Sequence, residues 1–302
     1  MQEIQQKFCQ EGYIGNRSIY TSVFLAQKLQ KPLLIEGPPG VGKTEIAKVL
    51  AKIHHTQLIR LQCYEGLDSY NALYDWNYQK QLLYLKANSD VNEERLYSED
   101  FLLKRPLLHA ITSSKNVVLL IDEIDRADEE FESFLLEILS DWQISIPETG
   151  TVTAQHIPYT ILTSNRKRPL SNALRRRCLY LWIDYPSFDK ELEILQTHVP
   201  QINTKLAGEI CGFVQAIRDM SLAKRPGVAE TIDWAMSLTL LNASHLEPQI
   251  VDELLGVVFK NNSDIEQVKS VLPDLMEQIA KTREHKEPLQ KLRTLMAIAT
   301  NE

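Results

Sequence analysis

Between Arg17 and Leu29 the apolar residues Ile19, Val23, Phe24, Ala26 and Leu29 recur at helical spacing, and Pro32 stops the pattern before a short apolar run, Leu33 to Ile35. That run predicts a buried strand. A glycine-rich turn and the amphipathic stretch Glu45 to Ile53 follow it, the opening of a β-loop-α unit. Further apolar runs at Leu58 to Leu61, Val117 to Ile121, Tyr159 to Leu162 and Leu179 to Ile183 are separated by material of helical period. Five strands alternating with helices predict an α/β fold, its sheet mostly parallel and buried on both faces. After Tyr185-Pro186 the strand-like runs stop. Helices are predicted over Phe188 to Thr197, Asn203 to Arg218, Gly227 to Leu241, Pro248 to Phe259, Ile265 to Arg283 and Pro288 to Ala299. The expected domains are an α/β core over 1–187 and an all-α lid over 188–302.

Two segments interrupt this plan. Six aromatics fall between Tyr64 and Tyr84, and Tyr74, Trp76 and Tyr78 alternate with Asp75 and Asn77, as in a half-buried strand of a hairpin-like insert. Such a face either packs on the core or forms a contact surface for another protein. Gly150, within Ile146 to Val152, reads as the tip of a second hairpin, either a substrate-touching tip or a plain surface turn.

Composition narrows the class. Of 302 residues, 44% are hydrophobic and 24% charged, with 11 Gly and 13 Pro, which is ordinary for a soluble globular protein and excludes disorder. The net charge of −7 argues against a surface that binds nucleic acid throughout, and from Phe188 onward there are 12 basic and 17 acidic residues. Cys9, Cys63, Cys178 and Cys211 are scattered, which fits a reducing cytosol better than a disulfide framework or a metal knuckle. No apolar stretch approaches the roughly 18 residues of a membrane span, and the first residues lack a signal-peptide pattern, so a cytoplasmic protein without membrane insertion is expected. His54 and His55 are adjacent and cannot share a helix face as metal ligands.

The chemistry concentrates in Gly37-Pro38-Pro39-Gly40-Val41-Gly42-Lys43-Thr44, a complete P-loop pattern between a predicted strand and a predicted helix. Its glycines let backbone amides turn inward, and the helix start adds its own, so a polyphosphate is cradled. Lys43 is expected to neutralise the β and γ phosphates, and Thr44 to lend its hydroxyl to Mg²⁺. The run Val117 to Ile121 ends in Asp122-Glu123. Asp122 would hold Mg²⁺ or its water shell, while Glu123 would polarise the attacking water.

With these two elements in place the chain resembles an AAA+ ATPase over nearly its whole length, with GPPGVGKT as Walker A and VVLLIDEID as Walker B. The resemblance implies ATP and Mg²⁺ as cofactors. It assigns Asn165, ending Tyr159 to Asn165, as the sensor 1 residue that aligns the lytic water. It also makes Leu174 to Cys178 the motif whose arginine reaches a neighbouring subunit, with Arg177 the best match and Arg175 and Arg176 as alternatives. A finger in trans implies a homo-oligomeric ring, by resemblance a hexamer. Gln62 falls where many members place a polar switch against the Walker B acid, and the adenine-contacting segment would fall at Tyr13-Ile14-Gly15, with Ile14 at its centre. One departure stands out. The family's sensor 2 arginine often follows a proline, but here Pro226 is followed by Gly227, leaving Arg225 as the candidate and Lys224 beside it.

In detail the chain resembles the MoxR family, particularly the subgroup associated with maturation of carbon monoxide dehydrogenase-like molybdenum hydroxylases. Arg60 to Asp68, Ala72 to Tyr78, Leu103 to Leu108, Ile146 to Val152 and Arg225 to Thr231 carry that resemblance. It implies an ATP-driven chaperone that remodels or matures a client protein, with a metalloenzyme subunit as client and a von Willebrand factor A domain protein as partner. The alternative is a nucleic-acid-directed motor or clamp-loader-like ATPase, which shares the same chemistry; the acidic lid and the lack of a basic appended module speak against it.

Overall fold

Residues 1–88 and 93–285 are described by a computed structural model. The predicted helix Pro288 to Ala299 lies outside the described residues. Inter-residue contacts divide the chain into two units, the first comprising Met1–Gly37 with Lys43–Ile183, the second Pro38–Gly42 with the chain from Asp184 onward.

Among the described residues the first unit has nine strands: β1 (Leu33–Glu36), β2 (Leu58–Gln62), β3 (Tyr74–Trp76), β4 (Leu102–Lys104), β5 (Val118–Asp122), β6 (Gln143–Ile146), β7 (Gly150–Thr153), β8 (Tyr159–Ser164) and β9 (Leu179–Trp182). Five of them form one wholly parallel sheet in the order β2-β5-β8-β1-β9, the five expected from their apolar runs. Every residue of β1 and β5 is buried, as expected of central strands sandwiched between helices. The edge strands depart from the expectation of burial on both faces. β2 alternates buried and exposed residues, and in β9 Tyr180 and Trp182 face solvent, because an edge strand lacks a neighbour to carry the covering layer across it.

Helix Arg17–Leu29 ends where predicted, although the stop is made by Gln30 in the left-handed conformation, φ 52°, before Pro32 is reached. Hairpin β6–β7 forms, but its turn is residues 147–149; Gly150, φ 89°, is not the tip and instead opens β7 opposite Ile146. The aromatic insert differs in part. β3 pairs antiparallel with β4, burying Tyr74 and Trp76, but Tyr78 is exposed and opens helix Tyr78–Ala87. The reason is Asn77, whose Oδ1 accepts from Lys80 N, an N-cap that starts a helix one residue after the strand. Helix Gln2–Gln10, with Phe8 buried, was not expected from periodicity.

The second unit is helical, with helices Phe188–His198, Thr204–Arg218, Val228–Leu240, Pro248–Val258 and Asn262–His285. Thr204–Arg218 is buried along nearly its whole length and forms the centre, with Phe213 packed against Trp234 at 5.0 Å between ring centroids. Among the described residues, no helix is long and apolar enough to cross a membrane.

Candidate nucleotide hydrolysis site

The P-loop leaves the end of β1. A Cβ built on Gly37 would stand 2.0 Å from the carbonyl oxygen of Ile183, the residue that follows β9, so any side chain there would push the loop off that backbone. Gly40 and Gly42 adopt φ of 77° and 88°, a conformation that glycine reaches without a Cβ penalty. Helix Lys43–Ile53 starts directly after. These features fit a polyphosphate cradle, because they combine a close backbone turn with a helix N-terminus.

In the first unit, Lys43 Nζ donates to Gly37 O at 2.8 Å. Burial pushes the Lys43 ammonium down to about 8, against the opposing pull of the Asp125, Asp122 and Glu123 carboxylates. Thr44 Oγ1 donates to Asp122 Oδ1 at 3.1 Å, bringing the two predicted metal-holding residues together. Hydroxyl and carboxylate oxygens are the donor set a hard cation such as Mg²⁺ takes.

Asp122 closes β5 and is almost wholly buried. A buried carboxylate needs donors, and the neighbouring strands supply them. Thr163 Oγ1 on β8 donates to Oδ1 at 2.5 Å, and Arg60 Nη2 on β2 donates to Oδ2 at 2.5 Å. The next residue, Glu123, sits in the left-handed region at φ 54°, ψ 49°, and its N–H donates to Thr163 Oγ1 at 3.0 Å. This turn directs the Glu123 carboxylate to three donors: Asn165 Nδ2, Gln62 Nε2 and Arg126 Nη1, each at 3.2 Å. Arg60 also donates to Gln62 Oε1 at 2.6 Å, so one strand grips both acids. Asp125 Oδ2 accepts from Asn165 N at 3.2 Å and Lys167 N at 2.8 Å, which fixes the loop that carries the Asn165 side chain.

Lys43, Thr44, Asp122, Glu123 and Asn165 are thus assembled by the ends of parallel strands. Arg60, Thr163, Asp125 and Arg126 join them without having been singled out from the sequence. A signal existed for two of them. Arg60 shares a strand face with Gln62 by period 2, and Asp125 is the last acid of the DEID stretch.

The arginine motif does not join this cluster. In helix Asn172–Arg177, Arg175 Nη2 donates to the buried Glu36 Oε1 at 2.8 Å, and Tyr180 Oη donates to Glu36 Oε2 at 3.1 Å. Arg177 donates to Ser140 Oγ and, at 3.1 Å, to Ala173 O, while Arg176 is exposed. Ile14 lies half-buried in a loop where Gly15 N donates to Tyr20 Oη at 2.7 Å.

In the second unit, residues Pro38–Gly42 meet the turn before helix Val228–Leu240. Val228 N donates to Gly40 O at 2.8 Å, and a Cβ built on Gly227 would stand 2.6 Å from Gly40 Cα. Arg225, the sensor 2 candidate, is exposed; the backbone of Gly227 lies against the loop instead.

Known proteins place this arrangement. Residues 32–178 match the AAA domain family, dynein-related subfamily. An uncharacterized protein of Staphylococcus aureus (strain bovine RF122 / ET3-1) is 26% identical over 200 residues, covering 64% of this chain and 70% of that protein. Among solved structures, a mutant of Thermotoga maritima RuvB is similar at TM-score 0.50 and 20% identity, over 81% of this chain and 70% of that one. The Thermotoga maritima RuvB Holliday junction branch migration motor gives TM-score 0.48 at 20% identity, over the same 81% and 70%. Residues 32–178, which carry the P-loop, the acidic end of β5 and the arginine motif, are similar to the AAA domain family of the dynein-related subfamily, and the five-stranded parallel sheet is that of a P-loop AAA fold.

Proposed function

We propose that the protein is a Mg²⁺-dependent ATPase of the MoxR type that works as a homo-oligomeric ring, a hexamer, and acts as a cytoplasmic chaperone on a client protein. The observation that carries the chemistry is the Glu123 carboxylate held by Asn165 beside the Asp122–Thr44 pair. Mg·ATP, when bound, supplies the phosphoryl group to be transferred to water. Lys43 neutralises charge on the β and γ phosphates, and Thr44 and Asp122 hold the metal. Glu123 takes the proton of the attacking water as Asn165 orients it. In this reading Gly37, Pro38, Pro39, Gly40, Val41 and Gly42 wrap the phosphates, Ile14 lies against the adenine, Arg225 is the lid cation, and the division is core 1–187 and lid 188–302. Arg177 acts across a subunit interface, which makes hydrolysis depend on assembly.

The client is a metalloenzyme subunit in this reading, with a von Willebrand factor A domain partner, on the strength of the sequence stretches quoted above. The test is capture from native lysate with Glu123→Gln loaded with Mg·ATP, against Lys43→Ala. A metalloenzyme subunit or von Willebrand-type protein recovered only with Glu123→Gln supports the chaperone. Nucleic acid recovered instead, surviving moderate salt, moves the reading to a motor. Turnover untouched by Lys43→Ala would refute the ATPase assignment itself.

A further inference from the structure

The turn at 226–227 is held far more firmly than a surface connection requires. Glu191, fully buried, accepts from Arg218 Nη1 and Nη2 at 2.7 Å each, from Gln215 Nε2 at 2.7 Å and from Thr231 Oγ1 at 3.0 Å. Arg218, itself buried, spends its Nε on Pro226 O at 2.8 Å, and Thr231 Oγ1 lies 2.9 Å from Gly227 O, so its single proton is shared between that carbonyl and Glu191. The Glu230 carboxylate folds back to accept from Gly227 N at 3.0 Å. Upstream, the buried Asp264 accepts from Ala223 N at 2.8 Å and Lys224 N at 3.1 Å. Both ends of the segment 223–227 are therefore pinned. A buried ion pair contributes little net stability, since desolvation offsets its attraction, so what these groups secure is one backbone position.

That position is against the phosphate-binding loop. Gly227 Cα meets Gly40 so closely that a Cβ on either residue would fall within 3 Å of the other's Cα, and Val228 N donates to Gly40 O. The place where the family resemblance expects a sensor arginine is filled by backbone.

We propose that the Gly227–Val228 backbone, fixed by the buried Glu191–Arg218–Thr231 network, braces the P-loop at Gly40 and so sets how long a nucleoside polyphosphate is retained. Glu191, Arg218 and Thr231 are positioning residues in this account. The inference rests on the reading of the loop as a nucleotide site.

The variant that isolates the contact is Val228→Pro. Val228 is the first residue of its helix, where proline is tolerated, and Gly227 at φ −85°, ψ −178° has the extended conformation that precedes proline. The change removes one N–H and with it the bond to Gly40 O. Gly227→Ala is the second variant, which drives a methyl group into Gly40. Dissociation of mant-ADP by stopped flow, equilibrium binding of ADP by calorimetry, and the guanidinium midpoint of nucleotide-free protein are measured for both. The expected result is a rise in mant-ADP dissociation rate and in Kd of about three- to tenfold for Val228→Pro, the loss of one net hydrogen bond. Its nucleotide-free midpoint falls only slightly, by the worth of that one bond, which is also made without nucleotide. Rates and Kd within twofold of wild type in both variants would overturn the brace, as would a lowered midpoint with binding unchanged. Absence of ADP binding in the wild type would overturn the nucleotide-site reading and this inference with it, an outcome told apart by the wild-type control.

Discussion

Thr163→Val tests the core of the site without altering its shape. The substitution keeps the volume of a buried side chain on β8 and removes the hydroxyl that donates to Asp122 Oδ1 and accepts from Glu123 N. A hydrogen bond to a charged group is worth about 1.5–3 kcal/mol, and an orphaned part-buried N–H costs about 1 kcal/mol more. Asp122 Oδ1 keeps the Thr44 donor, so its full desolvation cost is not incurred. The sum is about 3 kcal/mol. For a unit of this size that lowers the melting temperature by about 6–12 °C. Thr160→Val, about one nanometre along the same strand by the rise of ~3.3 Å per residue, is the internal control. Its hydroxyl makes one neutral bond, to Pro158 O at 3.2 Å, so about 1 kcal/mol and about 2–4 °C are at stake. Scanning calorimetry of nucleotide-free protein separates the two. Melting of Thr163→Val within 2 °C or so of Thr160→Val would refute the argument that the Asp122–Glu123 pair is organised by this hydroxyl.

Other outcomes follow from the same contacts. Arg60→Ala removes the guanidinium from Asp122 Oδ2, and the Mg²⁺ concentration giving half-maximal turnover should fall severalfold; an unchanged or raised requirement in a metal titration contradicts competition between the two cations. Arg175→Ala strips a partner from the buried Glu36 carboxylate and, discounted for the partial exposure of Arg175, should cost about 1–2 kcal/mol in urea unfolding, whereas Arg177→Ala should leave stability nearly intact yet abolish the rise of specific ATPase rate with protein concentration. Burial pushes the Cys63 and Cys178 thiols up to about 12 and raises Cys211 as well, each favouring the neutral form, so their thiolates are scarce at pH 8 and grow only as pH climbs toward those values. Iodoacetamide on native protein should therefore label the exposed Cys9 alone, and all four in guanidinium, as read by intact mass.

The strands of the large sheet were legible because each is a short, nearly unbroken apolar run bounded by turn residues, and the loop Gly37 to Thr44 was legible because phosphate binding demands glycine at defined offsets. Long-range pairing carried no such local mark. Nothing local to Arg60 or Thr163 tells that parallel register puts Gln62 opposite Asp122 and Ile121 opposite Leu162, the pairing that carries their side chains to one carboxylate. The insert was half legible. Alternation marked Tyr74 and Trp76, but the cap at Asn77 overrode it at Tyr78, a case of local side-chain chemistry outweighing period. The three consecutive arginines were ambiguous for a different reason: helical geometry sends neighbours in different directions, so Arg175 turns to Glu36 and Arg177 to Ser140.

The left-handed backbone at Glu123 has a bearing on how this protein's history can be read. A glutamate at that φ costs on the order of 1 kcal/mol relative to glycine, and the fold would be served better by Gly or Asn at the end of β5. Selection for a folded domain alone would let the position drift to those residues. A descendant that kept the loop and the sheet but ceased to hydrolyse nucleotide should show that drift, making residue 123 a marker by which idle copies are told from working ones.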